Sequence, residues 1–464
     1  MNPIGFNERA RPAIADETLQ RALAKILNTF RVARDRALSE VDEAGLRQRA
    51  RDIRDEALTH LDQYLPQLAD NAARNGMIVH WAGDAAEANR TVVEIARSHG
   101  FKRVVKSKSM LTEEIGLNHA LGAAGLSVVE TDLGEWIIQL AGQRPAHILG
   151  PALNMSRTQI AEIFTRHFGR QVPDDITAMT ALARRELRDK FLAAEMGISG
   201  ANFVVAESGT VAILTNEGNA RFVTGLPHVH VAVVGIEKVV PSWDDLAVLL
   251  TLLPRSATGQ RITTYVNLIN GPRRAEEADG PDEVHLVLVD NGRSQLLGTP
   301  YQPVLRCIRC SACLNVCPVY EKVGGHVYNT AYVGPIGAVL TPALHGLAQH
   351  HELSHASSLC FACRDACPVM IDLPGLLLEL RREAAEGRST QVSRMERWGF
   401  ALFGWGSRHP RLFELALQIG KYVQRPFVRQ GRIASAPFPL SHWTQLRDFP
   451  ALDSQPFRER LKSL

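Results

Sequence analysis

Apolar residues recur at helical spacing early in the chain: Leu19, Leu23, Ile26, Leu27 and Phe30, then Leu46, Ile53, Leu58 and Leu61, each group set among many charges. That period predicts a helical lead-in over residues 17–68. From Met77 the rhythm changes, and short apolar runs alternate with amphipathic stretches. Met77-Ile-Val-His-Trp, a helix over 85–99, Arg103-Val-Val-Lys, a helix over 112–124 and Leu126-Ser-Val-Val-Glu follow in turn. Strand and helix in alternation predict right-handed βαβ crossovers on a mainly parallel sheet. Gly100 and Gly125 stand where each helix should stop.

A second sheet-rich part is expected next, with Asn202-Phe-Val-Val-Ala, Thr210-Val-Ala-Ile-Leu, His230-Val-Ala-Val-Val-Gly and His285-Leu-Val-Leu-Val-Asp as its strands. Ser208-Gly209 reads as a tight turn between the first two. The α/β region should end near Gly298-Thr-Pro-Tyr, and a segment of mostly helical character follows, including residues 373–386. After Gly387, Trp398, Phe400, Phe403, Trp405, Phe413 and Leu417 gather around Gly404, Gly406 and Pro410. Charges at Arg408, Arg411 and Glu414 interrupt that cluster, so it reads as a partner-facing or domain-packing tail rather than a membrane segment. Four parts result: a lead-in over 1–70, an α/β domain over 71–298, a helical domain over 299–387 and a mainly helical C-terminal segment over 388–464.

Composition adds exclusions. The 464 residues have room for about three domains, and a net charge of only +3 implies no polyanion-binding surface. The N-terminus lacks the apolar core of a signal peptide and no apolar stretch is long enough to span a bilayer, so a soluble, cytoplasmic protein is expected. There is no Gly-rich dinucleotide fingerprint at a strand-to-helix turn, and no helix-turn-helix with a basic recognition face.

All seven cysteines lie in two runs, Cys307-Ile-Arg-Cys310-Ser-Ala-Cys313-Leu-Asn-Val-Cys317-Pro318 and Cys360-Phe-Ala-Cys363-Arg-Asp-Ala-Cys367-Pro368. The first matches the bacterial ferredoxin spacing, in which three thiolates wrap one cubane and the fourth, followed by proline, reaches a neighbouring cluster. Zinc sites pair two Cys-x-x-Cys knuckles and need neither a third evenly spaced thiolate nor a trailing Cys-Pro. Disulfides would leave no cysteine elsewhere to cross-link. Ferredoxin logic assigns Cys307, Cys310, Cys313 and Cys367 to one [4Fe–4S] cluster and Cys317, Cys360 and Cys363 to the other. The second run is one cysteine short, and the missing ligand falls at Ser357. Ser357, His355, a partner's side chain or water are the alternatives for that corner, as is a three-iron cluster. The long stretch between the runs favours a helical two-cluster module over a compact two-hairpin ferredoxin.

These runs, with Gly334-Pro-Ile-Gly-Ala-Val-Leu-Thr-Pro, Val105-Lys-Ser-Lys-Ser-Met, Glu130-Thr-Asp-Leu-Gly-Glu and Ala206-Glu-Ser-Gly-Thr, resemble the LutB/LldF family of lactate-utilisation iron–sulfur proteins. The resemblance implies a LUD domain of the NagB/RpiA/CoA-transferase-like α/β class, then a helical ferredoxin-type domain, then a family-specific C-terminal segment. It implies electron transfer through two clusters in cytoplasmic oxidation of L-lactate to pyruvate, as one redox subunit of a complex rather than a self-sufficient enzyme. The implied partners are a LutA-like iron–sulfur subunit and a LutC-like LUD subunit. Seven cysteines is also the family's pattern. Pro151-Ala-Leu-Asn154 departs from it, with asparagine where the resemblance leads one to expect histidine.

Within the α/β region, Lys106 and Lys108 follow a strand and precede a helix, where an anion can be held; solvated loop charges are the plainer reading. Asp132 and Glu135 lie in another strand-end loop and have the residue type for proton transfer, although surface and cap roles are commoner. Glu207, beside the Ser208-Gly209 turn, is the position for a CoA-transferase-like nucleophile, against a plainer role accepting turn amides. An alternative to electron transfer is therefore a CoA-transferase-like or isomerase-like enzyme with structural clusters.

Overall fold

The computed structural model describes residues 5–386, 394–437, 441–444, 448–453, 455 and 460–461, and between residues 78 and 289 ten strands build two sheets. In chain order they are β1 (Ile78–Ala82), β2 (Arg103–Lys106), β3 (Ser127–Glu130), β4 (Met196–Ser199), β5 (Phe203–Val205), β6 (Thr210–Thr215), β7 (Val229–Gly235), β8 (Val239–Val240), β9 (Tyr265–Ile269) and β10 (Glu283–Val289). The larger sheet is wholly parallel, in the order β1-β10-β7-β4-β2-β3. The smaller runs β8-β5-β6-β9, with β5 and β6 joined antiparallel across Ser208-Gly209 as the sequence predicts.

The expected βαβ rhythm is present, with two differences. The 112–124 helix is two helices, Met110–Glu114 and Leu117–Ala123, because Gly116 turns left-handed at φ +66° between them. The His230 and His285 runs belong not with the hairpin strands but at the centre of the parallel sheet. All seven residues of β7 are buried, and only Glu283 of β10 is not. Central parallel strands are covered on both faces and so read as continuous apolar runs. Nothing in such a run names its neighbour.

The lead-in is four helices, Phe6–Ala15, Glu17–Leu38, Glu43–Thr59 and Leu61–Arg74. Leu23, Leu27, Leu58 and Leu68 share one apolar core with Val204 and Val239 of the small sheet and with Leu314, Tyr320 and Leu340 of the cysteine segment. Residues 1–389 accordingly form one compact unit. Arg54, 1% exposed, stitches three layers together. Its guanidinium donates to the carbonyls of Val239 at 2.8 Å, Leu305 at 3.3 Å and Glu237. The cysteine segment is built of short helices, including Ala312–Asn315, Pro318–Val323, Gly334–His345, Ala362–Asp365 and Leu373–Ala385.

Residues 390–464 form a second unit. Its described elements include helices Arg394–Ser407 and Pro410–Val423 and a two-stranded ladder of Arg432–Ile433 with Phe449–Pro450. Trp398, Phe400, Phe403 and Trp405 are exposed on the first of these helices. The boundary expected at 387–388 lies outside the described residues. Among those described, no helix is long and apolar enough to cross a membrane.

Candidate iron–sulfur centre

Left-handed residues curl both cysteine runs. Arg309 at φ +60° and Ser311 at φ +64° precede the one-turn helix Ala312–Asn315, and Leu359 at φ +53° and Phe361 at φ +68° precede Ala362–Asp365. Side chains as large as Arg, Leu and Phe rarely adopt this region, and such strain gathers where the fold must aim groups at one point. Here the groups are thiols. Pro318 then opens the helix Pro318–Val323 at N1, where its missing N–H costs nothing, and its N-cap is Cys317. Backbone amides point at sulfur: Tyr320 N donates to Cys317 Sγ at 3.4 Å, Ile371 N to Cys367 Sγ at 3.3 Å and Arg309 N to Cys307 Sγ at 3.4 Å.

The thiols influence one another in a definite pattern. Burial, and then the nearby Cys367 and Cys307, push Cys310 well above the ordinary thiol range. Burial raises Cys313 strongly, with Cys307, Cys310, Cys363 and Cys367 adding to it. Burial and then Cys307 push Cys367 up to about 11. In the other direction, burial raises Cys317 and Cys360 adds to it, while burial followed by Cys317 and Cys360 takes Cys363 up to about 12. Cys360 is exposed and lowered, chiefly by a hydrogen bond from the Ser358 side chain and then by the Ala362 amide.

None of the seven is in a disulfide. Buried thiols hold their protons unless a cation replaces them, and a metal that binds them deprotonates them outright. An all-sulfur, largely buried donor set with amide N–H groups aimed at sulfur fits a soft-metal cluster. The surroundings of the two runs differ. Ile308, Ala312 and Leu314 around the first are buried, whereas Cys360, Phe361 and Met370 of the second are exposed.

Beside the first run, a cleft of about 280 Å³ opens at the C-terminal ends of β2, β3, β4 and β7. Ligand sites of open parallel sheets lie at that end. Lys108, Asp132, Glu217, Lys238, Arg309 and Tyr332 are among its lining. Arg309 stacks 4.4 Å above the Tyr332 ring, Lys108 donates to the Leu149 carbonyl at 2.8 Å, and Lys238 donates to the Cys307 carbonyl at 3.3 Å. Below it Arg293, Glu114 and Glu237 form a fully buried ion triad, and the Tyr332 hydroxyl donates to Glu114 at 2.5 Å.

The α/β residues singled out from sequence sit apart in role. Lys106 is not free for an anion: it is fully buried, 2.7 Å from Glu130, 3.1 Å from Glu113 and 2.9 Å from Thr112 Oγ1. Asp132 caps helix Leu133–Ala141 by accepting from Glu135 N at 3.0 Å. Glu135 is buried behind it, raised to about 8 by burial and then by Glu130. Glu207 is exposed and accepts from Trp243 N, the first residue of helix Trp243–Ala257, at 2.8 Å rather than from the hairpin turn, and among the described residues no other carboxylate or base is bonded to it. Asn154 lies 3.3 Å from a ring nitrogen of His326. His355 is exposed, and Ser357 is half-buried with its carbonyl accepting from Arg381 at 3.2 Å. Arg54, Arg293, Arg309, Lys238 and Tyr332 went unnoticed in the sequence, where no spacing sets them apart from surface charges and ordinary aromatics.

Three family descriptions match successive parts of the chain: the LUD domain over residues 65–289, the 4Fe-4S dicluster domain over 303–371 and the C-terminal domain of lactate utilisation protein B over 379–463. Lactate utilization protein B of Shouchella clausii is 45% identical across 99% of this chain and 96% of its own. The protein of that name from an Exiguobacterium species is 47% identical across 98% and 97%. A crystal structure of a DUF162 family protein from Deinococcus radiodurans matches 49% of this chain and 98% of its own at 12% identity and a TM-score of 0.28.

Proposed function

The chain belongs to the lactate utilization protein B family, with a role in lactate utilisation and an iron–sulfur domain, and from that premise we propose that it is the electron-transfer subunit of a cytoplasmic L-lactate-oxidising system. The observation that carries the reading is the division of the thiols. Burial raises Cys310, Cys313 and Cys367, with Cys307 and one another adding to it, and raises Cys317 and Cys363 with Cys360 adding to it; of the seven, Cys360 alone is exposed. Cys313 also senses Cys363, so the two groups adjoin.

In this reading the first four hold one [4Fe–4S] cluster and the other three hold a second. When bound, the clusters supply one-electron storage and transfer. The protein's share is placement and tuning. Buried Ile308, Ala312 and Leu314 keep water from the inner group, and the amides of Arg309, Tyr320 and Ile371 stabilise negative charge on three sulfurs. Because Cys360 is exposed, a redox partner would reach the second group at that edge. The partners are a LutA-like iron–sulfur subunit and a LutC-like LUD subunit of the same system.

Anaerobic reconstitution of the full chain with iron and sulfide tests the cluster reading. About eight irons per chain, with two separable reductive steps, is the expected result. About four irons and a single step would reduce the protein to one cluster and leave no internal path.

A further inference from the structure

The two cysteine runs are the same backbone written twice at a fixed offset of fifty residues, with one exchange of atom. Cys310, Cys313 and Cys317 correspond to Cys360, Cys363 and Cys367, and Cys307 corresponds to Ser357. The left-handed residues match in place and angle, Arg309 with Leu359 and Ser311 with Phe361, and the one-turn helices Ala312–Asn315 and Ala362–Asp365 match in length. The first position repeats too. Arg309 N donates to Cys307 Sγ at 3.4 Å, and Leu359 N donates to Ser357 Oγ at 3.1 Å. The shorter distance is what oxygen in place of sulfur requires.

Ser357 Oγ therefore takes the bond, two residues on, that a ligand sulfur takes in the complete run. His355 falls in register with the buried Leu305, outside the ligand positions, and is itself exposed.

We propose that Ser357 Oγ is the fourth ligand of the second cluster, completing the set of Cys317, Cys360 and Cys363. The proposal rests on the two-cluster reading above. Ligation forms one iron–oxygen bond, breaks the O–H bond and releases that proton to solvent at the exposed Cys360 edge; no electron moves. An alkoxide is a harder donor than a thiolate and favours the more oxidised iron. The outer cluster should thus be harder to reduce than an all-cysteine version of itself.

Ser357→Ala and Ser357→Cys, made in the full chain and reconstituted anaerobically, separate the outcomes by iron analysis, EPR and redox titration. Ser357→Ala is expected to lose about one iron per chain and to show the oxidised signal of a three-iron cluster. Ser357→Cys is expected to keep the full iron content and to move the midpoint of the second cluster upward with the first unchanged. It also shows that the site still folds if the alanine variant assembles poorly. A second cluster with the same iron content, spectrum and midpoint in wild type and Ser357→Ala overturns the ligand assignment alone. Wild-type protein with no second-cluster signal overturns the two-cluster reading itself, and the assignment with it.

Discussion

Cys310→Ala is expected to empty the inner cluster and to lower lactate-driven acceptor reduction by the assembled complex at least ~100-fold, beyond the ~10–100-fold typical of losing a mere supporting partner of a metal ligand. The effect should reach stability as well as activity. Cys310 is 7% exposed and packs in the same core as Ala312, Leu314 and Tyr320. Its thiol is strongly held in the protonated form by burial and by Cys367 and Cys307, so binding energy gained on replacing those protons with metal is also folding energy. Cys360→Ala is the matched control. Cys360 lies at the surface, so its loss should interrupt transfer while leaving the melting temperature nearer that of wild type. Thermal unfolding and iron analysis of the two variants side by side check the difference.

Arg293→Met is expected to destabilise the protein by about 3–5 kcal/mol, the usual cost of removing one partner from a buried charge network. Arg293 is 1% exposed and its guanidinium makes a two-pronged pair with Glu114, at 3.0 and 2.7 Å, while Nε donates to Glu237 at 2.7 Å. The triad joins the ends of β7 and β10 to the helix after β2, and through Tyr332 to the cysteine segment. Arg293→Lys should recover little, because an ammonium cannot reproduce the planar fork.

The pH dependence of that triad has a definite sign. Burial by itself would raise both carboxylates, but Arg293 outweighs it, holding Glu114 below the usual range and, with Lys238 and Arg309, Glu237 at about 2. Folded values below the unfolded value of about 4.3 give a contribution that is present above that pH and lost as pH falls toward about 2. Denaturant unfolding at pH 7, 5 and 3 should therefore show wild type losing more on acidification than Arg293→Met. In the variant Glu114 has lost its cation and gains stability on taking up a proton, while Glu237 keeps Lys238 and Arg309, which makes the slope shallower.

What the sequence made legible was local. The cysteine runs, the strand runs of β1 to β3 and the stops at Gly100 and Gly125, with φ +68° and +81°, are set by residues next to one another. The partition of the large sheet was not legible, because β7 and β10 are apolar on both faces and carry no mark of their neighbour. The break at Gly116 was hidden inside a continuous helical period. Charges were the least legible. Lys106 and Glu135 read as loop residues and Arg54 and Arg293 drew no notice, yet all four are buried; a charge is buried only because partners distant in sequence meet it. Ser357 stood out only by the count of cysteines, and the hydrogen bond it shares in kind with Cys307 becomes visible only in three dimensions.

The most direct test of electron transfer is anaerobic EPR of the full chain assembled with its partner subunits, titrated with L-lactate and no other reductant. The account predicts that signals of both reduced clusters grow with lactate, and that Cys310→Ala abolishes this growth together with acceptor reduction. Lactate oxidation that reaches the acceptor while both clusters stay oxidised, or that persists in a cluster-free variant, would contradict it.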